Sequence, residues 1–454
     1  MYICVNPVFM KRDEFSGFFG VLVATVGSAV GLGNLWRFPY LVGQNGGAAF
    51  ILIYLAFVVI ICLPIMVAEF VIGRSTRANT VNAFNKLAPR SLWSGIGLMG
   101  VIASFCILAF YTVVGGWTVD YLVRSVIHVF SKPDISHLEA QFSQMVTAPL
   151  RPIIWTMVFI ALSGFIVMSG VKKGIEKYSR ILMPFLFLMI VILAIRSVTL
   201  PGAEAGISFL VKPDFSKLNT GSILAALGQA FFSLSLGMGC MITYGSYIPS
   251  KENLTRLSFT TALSDTLFAF LAGLAIMPAV FAFGVSPQEG PGLVFIVLPR
   301  IFAQIPLGNV FAIFFFLILF IAAITSVFSL MEVITAYLTE RTKIKRTWAV
   351  GIISFVVAVC ACLSSLSQGV LKDVKIFGKT FFDFFDYLSA NILLPIGGLL
   401  IVLFVGWRLK RSQVYEQYTN AGSLKGSFFR AFYFIIRYVA PVAIVILFLD
   451  VILK

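Results

Sequence analysis

The feature that most constrains this chain is a succession of long apolar segments that runs from one end to the other. Each is near or above the roughly 20 apolar residues that a helix needs to cross a bilayer. The 454-residue chain is 59% hydrophobic and 12% charged, whereas a soluble domain carries about 25% charged residues. The sequence therefore predicts an all-α polytopic membrane protein. Hydropathy places eleven spans, numbered 1 to 11, at about 16–42, 46–73, 94–129, 152–170, 178–198, 221–249, 257–285, 307–338, 347–368, 383–407 and 428–453.

The basic residues are divided unevenly between the two sides that these spans define. With the N-terminus inside, 21 Lys and Arg residues fall on the cytoplasmic side and 11 on the other, and cytoplasmic loops carry such an excess. The formal charge of +15 is therefore a topology signal rather than a nucleic-acid surface. It predicts a cytoplasmic segment at 1–15 and, because the span count is odd, an external C-terminus. A proline-rich connection at about 286–306 predicts an ordered loop or a short helical hairpin.

Span 1 carries residues that interrupt a helix near its middle. The stretch reads Gly27-Ser-Ala-Val-Gly-Leu-Gly-Asn-Leu-Trp-Arg-Phe-Pro39; glycine weakens a helix and proline cannot donate its backbone hydrogen bond. Broken backbone at membrane depth is tolerated only where it is buried in protein or lines a cavity. Freed carbonyls there can coordinate a cation, and freed N–H groups can hold an anion. The stretch therefore predicts half of a binding site at the bilayer midplane.

Span 6 has a matching defect five spans later. Ser233, Ser235, Gly237 and Gly239 interrupt an otherwise apolar stretch. Interrupted segments at corresponding positions of two halves are typical of inverted-repeat transporters. We therefore predict a first repeat at 16–200 (spans 1–5), a second at 221–410 (spans 6–10) and a peripheral span 11 at 428–454. The alternative, small residues that let helices cross closely, explains single glycines better than paired clusters.

Ionisable side chains within spans are costly, so each needs a partner or a function. Glu69 is predicted to accept N–H groups that the unwound part of span 6 exposes, a structural role. Asp265, near the start of span 7, is either a cation ligand or half of an ion pair, and we favour the ligand. Arg37 follows the break in span 1, and Asp386 shares a helix face with Asp383 three residues before it. Arg37 and Asp386 are therefore expected to pair across an external vestibule.

Span 8 offers oxygen atoms in an apolar helix through Ala322-Ala-Ile-Thr325-Ser326. Such hydroxyls often bond to their own helix, but a hard monovalent cation needs oxygen ligands. Sodium held by neutral oxygens fits better than a divalent metal, which would call for more carboxylates. The sequence has no Walker motif for ATP hydrolysis. Its six cysteines fall mostly within spans, which predicts neither a disulfide framework nor a zinc site. A paired nucleophile and base is also lacking, so we do not expect an enzyme.

Several of these motifs together resemble the neurotransmitter:sodium symporter family. The family's bacterial members include LeuT. The likeness covers essentially the whole chain, which resembles the eleven-span bacterial branch because a twelfth span is absent. It is carried by Gly27-x-Ala-Val-Gly-Leu-Gly-Asn-x-Trp-Arg-Phe-Pro, Asn45-Gly-Gly-Ala-Ala-Phe50, Glu69-x-x-x-Gly73-Arg74, Tyr111 with Trp117, the Ser-Leu-Ser-Leu-Gly core with Ile242-Thr-Tyr-Gly-Ser-Tyr247, and Ala-Ala-Ile-Thr-Ser.

The resemblance implies a LeuT-like 5+5 inverted repeat that takes up amino acids or amines by sodium-coupled alternating access. It also implies two Na+ sites and one substrate pocket. The first Na+ site would use Ala29, Asn34, Ser233 and Asp265 with the substrate carboxylate. The second would use Gly27, Val30, Ala322, Thr325 and Ser326. The substrate pocket would comprise Ala29, Gly33, Ile107, Tyr111, Phe232, Ser235, Met238, Ser326 and Leu330.

The resemblance further assigns gates on the two sides of this pocket. The external gate would be Arg37 with Asp386, and Phe232 would close over the ligand. The internal gate would be Arg12 with Glu340, supported by Phe15 and Tyr247. Gly174 and Pro184 resemble the family's Gly-x9-Pro element, where the helix end can unwind and admit water to the inner sodium site; the pair is otherwise a loop–helix boundary.

Three departures from the family pattern refine the expected substrate and ions. A fixed carboxylate at Asp265, where many members have Asn, would balance sodium charge, so no chloride requirement is expected. Amine-transporting relatives carry Asp where this chain has Gly31, so the substrate is expected to be a zwitterionic amino acid. Met238 takes a position often held by Phe, and because methionine is adaptable a large apolar or aromatic substrate is expected.

The resemblance places the chain in the bacterial inner membrane, and two other functions stay open. A proton-coupled carrier or exchanger of the same fold would show uptake that persists without sodium. An amino-acid sensor or channel-like membrane protein would bind ligand but fail to concentrate it. Neither the oligomeric state nor the identity of the amino acid follows from the sequence.

Overall fold

The computed structural model describes residues 13–128, 138–284 and 293–453. Throughout these residues the chain is helical, and it forms no strand beyond an isolated bridge between Ile376 and Lys379. The described residues contain nine long apolar helices that match predicted spans. They are Ala48–Thr76, Ser94–Val126, Arg151–Met168, Val171–Val198, Leu254–Ala282, Gly308–Thr342, Arg346–Leu366, Phe381–Arg408 and Phe429–Leu449, which are spans 2–5 and 7–11.

Span 1 is broken, as its glycines predict. Helix Phe18–Ala29 ends where Val30 turns extended, and Gly33–Gln44 continues at an angle of 50°. The second half opens with a wide π-helical turn over Gly33–Arg37 before it becomes α-helical. At the break, the N–H groups of Gly31 and Leu32 bond to side chains instead of to helical carbonyls, and Val30, Gly31 and Leu32 are all buried.

Span 6 is broken more widely. Helix Thr220–Ser233 stops, and helix Cys240–Gly245 begins after six intervening residues. The backbone of the intervening loop is left-handed at Ser235, with φ 53°, and at Gly237, with φ 78°. The conformation of Ser235 is unusual, because residues other than glycine rarely adopt a positive φ. The prediction of discontinuous spans 1 and 6 is therefore confirmed.

Spans 3 and 8 form the centre of the bundle, and the broken spans lie beside them. Span 2 approaches the second half of span 6 closely: a Cβ placed on Gly73 would lie 2.0 Å from the carbonyl oxygen of Ile242. Only glycine fits at this crossing. Span 11 contacts spans 10 and 6; its peripheral position stays a prediction.

Short helices occupy the connections. The proline-rich stretch near 286–306 contains a helix at Leu293–Phe302, while 285–292 lie outside the described residues. Other connections carry the helices Thr80–Leu87, Leu138–Thr147, Glu204–Val211 and Arg411–Tyr418 and a 3-10 turn at Phe215–Lys217.

Candidate functional site

A narrow buried cavity lies where the breaks in spans 1 and 6 meet spans 3 and 8. Its volume is about 30 Å³, room for little more than a water molecule, so a larger ligand requires neighbouring side chains to move. The cavity is lined by all nine residues of the expected substrate pocket, Ala29, Gly33, Ile107, Tyr111, Phe232, Ser235, Met238, Ser326 and Leu330, together with Ser28, Gly31, Ser233 and Ser329. The tertiary structure thus gathers residues from four separate spans.

The cavity is polar on one side and apolar on the other. The Tyr111 hydroxyl accepts a hydrogen bond from the Leu32 N–H at 3.0 Å, so it faces the open backbone of span 1. A Cβ on Gly31 would lie 2.6 Å from Ser326 Oγ and 2.8 Å from the Tyr111 hydroxyl. A side chain at position 31 would therefore collide with the two hydroxyl groups, so glycine is required there. The apolar wall is formed by the side chains of Ile107, Met238 and Leu330.

Asp265 lies beside the cavity, fully buried, at the centre of a polar cluster. Asn34 donates to its Oδ1 at 2.8 Å and Ser233 donates to its Oδ2 at 2.8 Å. Tyr54 donates to Oδ2 at 3.4 Å. Asn34 Oδ1 in turn accepts the Gly31 N–H at 3.2 Å. Three of the four residues expected at the first sodium site are thus joined directly, and Ala29 lines the adjoining cavity.

The hydroxyls of span 8 face the break in span 1 from the other side. Ser326 Oγ lies 3.5 Å from the Gly27 carbonyl oxygen and 3.1 Å from that of Ala322. Thr325 Oγ1 donates to its own helix, at 2.8 Å to Ile321 O and 3.2 Å to Ala322 O. A Cβ on Gly27 would lie 3.3 Å from Thr325 Cβ, so the two helices touch here.

Val30 is the remaining residue expected at the second sodium site. It is the first residue of the break and has extended backbone, with ψ 101°. Its carbonyl has therefore left the helix. Gly27, Val30, Ala322, Thr325 and Ser326 offer only carbonyl and hydroxyl oxygens, the neutral ligand set that suits a monovalent cation better than a divalent one. The second sodium site stays a prediction.

Side chains from other spans satisfy the open backbone of span 6. Buried Glu69 accepts the Gly237 N–H at 2.8 Å. Ser104 donates to the Met238 carbonyl at 2.8 Å, and Ser235 donates to the Ser28 carbonyl, also at 2.8 Å. The last bond links the break in span 6 to the last turn of the helix that precedes the break in span 1. A backbone N–H or C=O group that is buried without a hydrogen bond costs several kcal/mol, on the order of magnitude estimated for the lipid interior. These side chains therefore stabilise the break.

Gln229 is a site residue that the sequence reasoning missed. It is fully buried in span 6, and its side chain donates to the Gly33 carbonyl at 3.0 Å. Gln229 thereby holds the break in span 1 from the opposite repeat. The sequence did contain a signal for this role, because Gln229 is a polar residue in an apolar helix, four residues before Ser233. Buried polar side chains are normally hydrogen-bonded, so a buried partner could have been expected.

The expected external gate has a different arrangement from the predicted ion pair. Arg37 lies with its guanidinium 5.0 Å from the centre of the Phe232 ring, a cation–π contact. Asp386 is near enough to attract Arg37 electrostatically, but the two are not joined by one of the described ion pairs within 4.0 Å. Arg37 therefore covers the aromatic side chain at the mouth of the cavity.

Aromatic residues and a buried ion pair close the other end of the bundle. Phe15 packs edge-on against Tyr244 and Tyr247, with ring centres 5.6 and 6.1 Å apart. The Tyr247 hydroxyl donates to Glu332 at 2.7 Å, and Arg346 pairs with the same carboxylate. Glu332 and Arg346 did not enter the sequence prediction.

Glu340, the other residue of the expected internal gate, binds a neighbouring helix. It accepts the backbone N–H of Asn79 at 3.1 Å and the side-chain amide of Asn79 at 2.7 Å. Arg12, its expected partner, lies outside the described residues.

Gly174 and Pro184 lie in a helix that is wound throughout. Span 5 runs from Val171 to Val198, with Gly174 in its first turns and Pro184 inside it. A Cβ on Gly174 would lie 2.1 Å from the Ile166 carbonyl oxygen, so glycine is required by the contact with span 4. Unwinding at this element stays a prediction.

A helical membrane bundle with two interrupted helices around a small, partly polar cavity is the architecture of a secondary transporter. The comparisons with known proteins give the family. The chain belongs to the sodium:neurotransmitter symporter family, whose model matches residues 12–143 and 131–454. It is accordingly a sodium-dependent symporter that spans the membrane several times, and its relatives are transporters rather than enzymes.

The similarity extends over whole chains. YhdH, an uncharacterized sodium-dependent transporter of Bacillus subtilis, is 42% identical over 97% of this chain and 98% of its own length. The sodium- and chloride-dependent GABA transporter 2 of Rattus norvegicus is 28% identical over 90% of this chain and 75% of its own length. The crystal structure of MhsT in complex with L-phenylalanine superposes with a TM-score of 0.90, at 43% identity, over 97% of this chain and 100% of MhsT.

Proposed function

We propose that this protein couples inward sodium flow to the uptake of a zwitterionic amino acid with a large apolar or aromatic side chain. The observation that carries the proposal is the cavity where the two helix breaks meet, which is lined by the nine residues expected to bind substrate. MhsT, whose fold is similar to that of this chain, was crystallised in complex with L-phenylalanine. An amino acid fits the division of this cavity into polar and apolar walls.

The polar wall provides for the carboxylate and amine of the substrate. We expect the Tyr111 hydroxyl and the open backbone around Gly33 to donate hydrogen bonds to the carboxylate. None of the residues that line the cavity is acidic. An amine without a carboxylate would therefore lack a counter-charge, and an amino acid brings its own.

The apolar wall provides for the side chain. Ile107, Met238 and Leu330 are buried there, and Phe232 lies across the mouth. Methionine adapts to ligands of different shape. We therefore expect phenylalanine, tryptophan, leucine or methionine to bind better than glycine or serine.

Two sodium ions are proposed to bind beside the substrate. The first would bind where Ala29, Asn34, Ser233 and Asp265 meet, next to the substrate carboxylate. The second would bind between Gly27, Val30, Ala322, Thr325 and Ser326. Each charge that crosses 100 mV contributes about 2.3 kcal/mol, so two ions would drive steep accumulation of substrate.

The protein is proposed to need no chloride. Asp265 would supply a fixed negative charge to the proposed first sodium site, and the side chains of Asn34, Ser233 and Tyr54 all donate hydrogen bonds to it. A carboxylate that already occupies these donors balances the sodium charge, and it leaves them unavailable to a free anion.

Transport is proposed to proceed by alternating access in the bacterial plasma membrane, with the N-terminus cytoplasmic. The external path would open when Arg37 and Phe232 leave the mouth of the cavity and Arg37 meets Asp386. The internal path would open when Phe15 leaves Tyr247 and the start of span 5 unwinds at Gly174. The surplus of basic residues on the N-terminal side supports this orientation.

The decisive experiment measures binding of the twenty amino acids to purified protein in sodium and in potassium. A large apolar amino acid is expected to bind only in sodium, equally well with chloride or gluconate as the anion. Uptake into proteoliposomes then separates the alternatives: accumulation that follows a proton gradient without sodium identifies the proton-coupled carrier, and sodium-dependent binding without accumulation identifies the sensor or channel.

A further inference from the structure

A basic groove lies at the edge of the bundle, far from the substrate cavity. It has a volume of about 480 Å³ and is lined by Arg411, Ser412, Tyr415, Gly426, Phe429 and Arg430. These residues come from the short helix Arg411–Tyr418 and from the start of span 11. Gln417, in the same short helix as Arg411, accepts a hydrogen bond from Arg74. Arg77, three residues after Arg74, pairs with Glu14 near the N-terminus. The groove is therefore on the end of the bundle that carries the N-terminus.

The charges around this groove have one sign. Between residues 404 and 449 the sequence has six basic residues, namely Arg408, Lys410, Arg411, Lys425, Arg430 and Arg437, and one acidic residue, Glu416. The side chains of Arg411 and Arg430 are exposed where they line the groove. Neither forms one of the described ion pairs. The groove therefore offers two guanidinium groups, whose planar array of donors suits phosphate.

Aromatic side chains place the groove at the height of lipid headgroups. Arg411 lies over the rings of Phe429 and Tyr433, at 5.7 and 5.5 Å. Beside it, Phe428 is 76% and Trp407 57% exposed. Exposed aromatic residues next to the end of a membrane helix are typical of the membrane–water interface.

A third arginine lies deeper along the same helix. Arg437 follows Arg430 by seven residues, which places both on one face. Its guanidinium stacks on Trp407 at 4.4 Å, and the Trp407 indole donates to the Arg437 carbonyl at 2.9 Å. Its Nε lacks a hydrogen-bond partner in the structure. A cation at this depth is costly unless it reaches an anionic or polar lipid group.

We propose that this groove binds the phosphate headgroup of an anionic phospholipid. Arg411 and Arg430 hold the phosphate, and Arg437 faces the ester region of the same lipid, whose chains lie along spans 10 and 11. Basic pockets between membrane helices on the cytoplasmic side bind such headgroups. A free phosphate ion shares the headgroup chemistry, but the exposed aromatic residues and the deeper arginine favour the lipid.

The test is native mass spectrometry of the full-length protein in detergent with added phosphatidylglycerol or phosphatidylcholine. Wild-type protein is expected to retain phosphatidylglycerol about tenfold better, and R411Q/R430Q is expected to reduce that retention to the level of phosphatidylcholine. The control K172Q/K173Q removes two exposed charges from the same end of the bundle, outside the groove, and is expected to retain the lipid as wild type does.

Three outcomes would overturn the proposal. Equal retention of both lipids by wild type would show that no anion is recognised. An equal loss in K172Q/K173Q would show a general charge effect instead of a site. Displacement of the lipid by millimolar inorganic phosphate would show that the groove takes the free anion. Lipid retention by R411K/R430K, which keeps the charge, separates a need for guanidinium geometry from a need for charge. Thermal melting of each variant shows that it is folded.

Discussion

Asn34 of span 1 donates from its side-chain amide to Oδ1 of Asp265 in span 7, at 2.8 Å, across 231 residues of chain. The same amide lies 3.2 Å from Ser233 Oγ in span 6. This one residue therefore links the two broken helices to the buried carboxylate between them. Any ion that binds at Asp265 must exchange contacts with Asn34, and so affects both breaks at once.

Replacing Asp265 with Asn is expected to weaken sodium-dependent substrate binding tenfold to a hundredfold. A hydrogen-bonded charge contributes about 1.5–3 kcal/mol, and 1.4 kcal/mol is tenfold in affinity. Chloride is expected to restore part of the loss, because the donors that served the carboxylate become available. The measurement is a sodium titration of ligand binding in chloride and in gluconate. Asp383→Asn, which alters an exposed carboxylate, is the control; unchanged sodium affinity in Asp265→Asn would refute the first sodium site.

Thr325→Ala is expected to lower sodium affinity up to about tenfold by removing one oxygen from the second site. Substrate affinity at saturating sodium should change little. Thr335→Ala is a matched control, since Thr335 is buried in the same span and donates to the Met331 carbonyl at 2.7 Å. Equal effects of the two substitutions on sodium titrations would show that Thr325 acts only through its own helix.

Tyr111→Phe is expected to reduce substrate affinity about tenfold, because the substitution removes one hydrogen-bond donor to the substrate carboxylate. Sodium binding measured without substrate should be less affected. Isothermal titration with and without the amino acid separates the two. Tyr121→Phe removes a hydroxyl from the same span outside the cavity and serves as the control; a parallel decline in sodium binding would contradict a role at the substrate.

Gly31→Ala is expected to abolish substrate binding or weaken it by at least about tenfold, since overpacking costs roughly 1–3 kcal/mol. The added Cβ would lie 2.6 Å from Ser326 Oγ and 2.8 Å from the Tyr111 hydroxyl. Gly95→Ala is the control, because its Cβ meets no atom within 4 Å. Binding that survives in Gly31→Ala would mean that the polar wall is not where the substrate lies.

Glu69→Ala is expected to destabilise the protein by about 1–3 kcal/mol, because the Gly237 N–H in the break of span 6 then stays buried without an acceptor. Glu69→Gln keeps an oxygen at that position, so it should lose less. Thermal unfolding in detergent compares the two variants with wild type. Equal melting temperatures for Ala and wild type would show that the break does not depend on this hydrogen bond.

The sequence determined the interruptions, because glycine, proline and small polar residues act on the backbone wherever they stand. Through the family resemblance it also supplied nine of the thirteen residues that line the cavity. At most of the helix ends, the bounds in the structure differ by a few residues from those read from hydropathy. Apolar composition marks the part of a helix within the membrane but does not determine where its last turns end.

Tertiary structure alone decided which groups satisfy the broken backbone. Gln229 reaches the Gly33 carbonyl across 196 residues, and Arg346 reaches Glu332 through the packing of spans 8 and 9. Arg37 covers Phe232 instead of pairing directly with Asp386. Periodicity and composition describe a helix by itself, whereas these contacts depend on the angle and depth at which one helix meets another. Close packing of the whole bundle sets both.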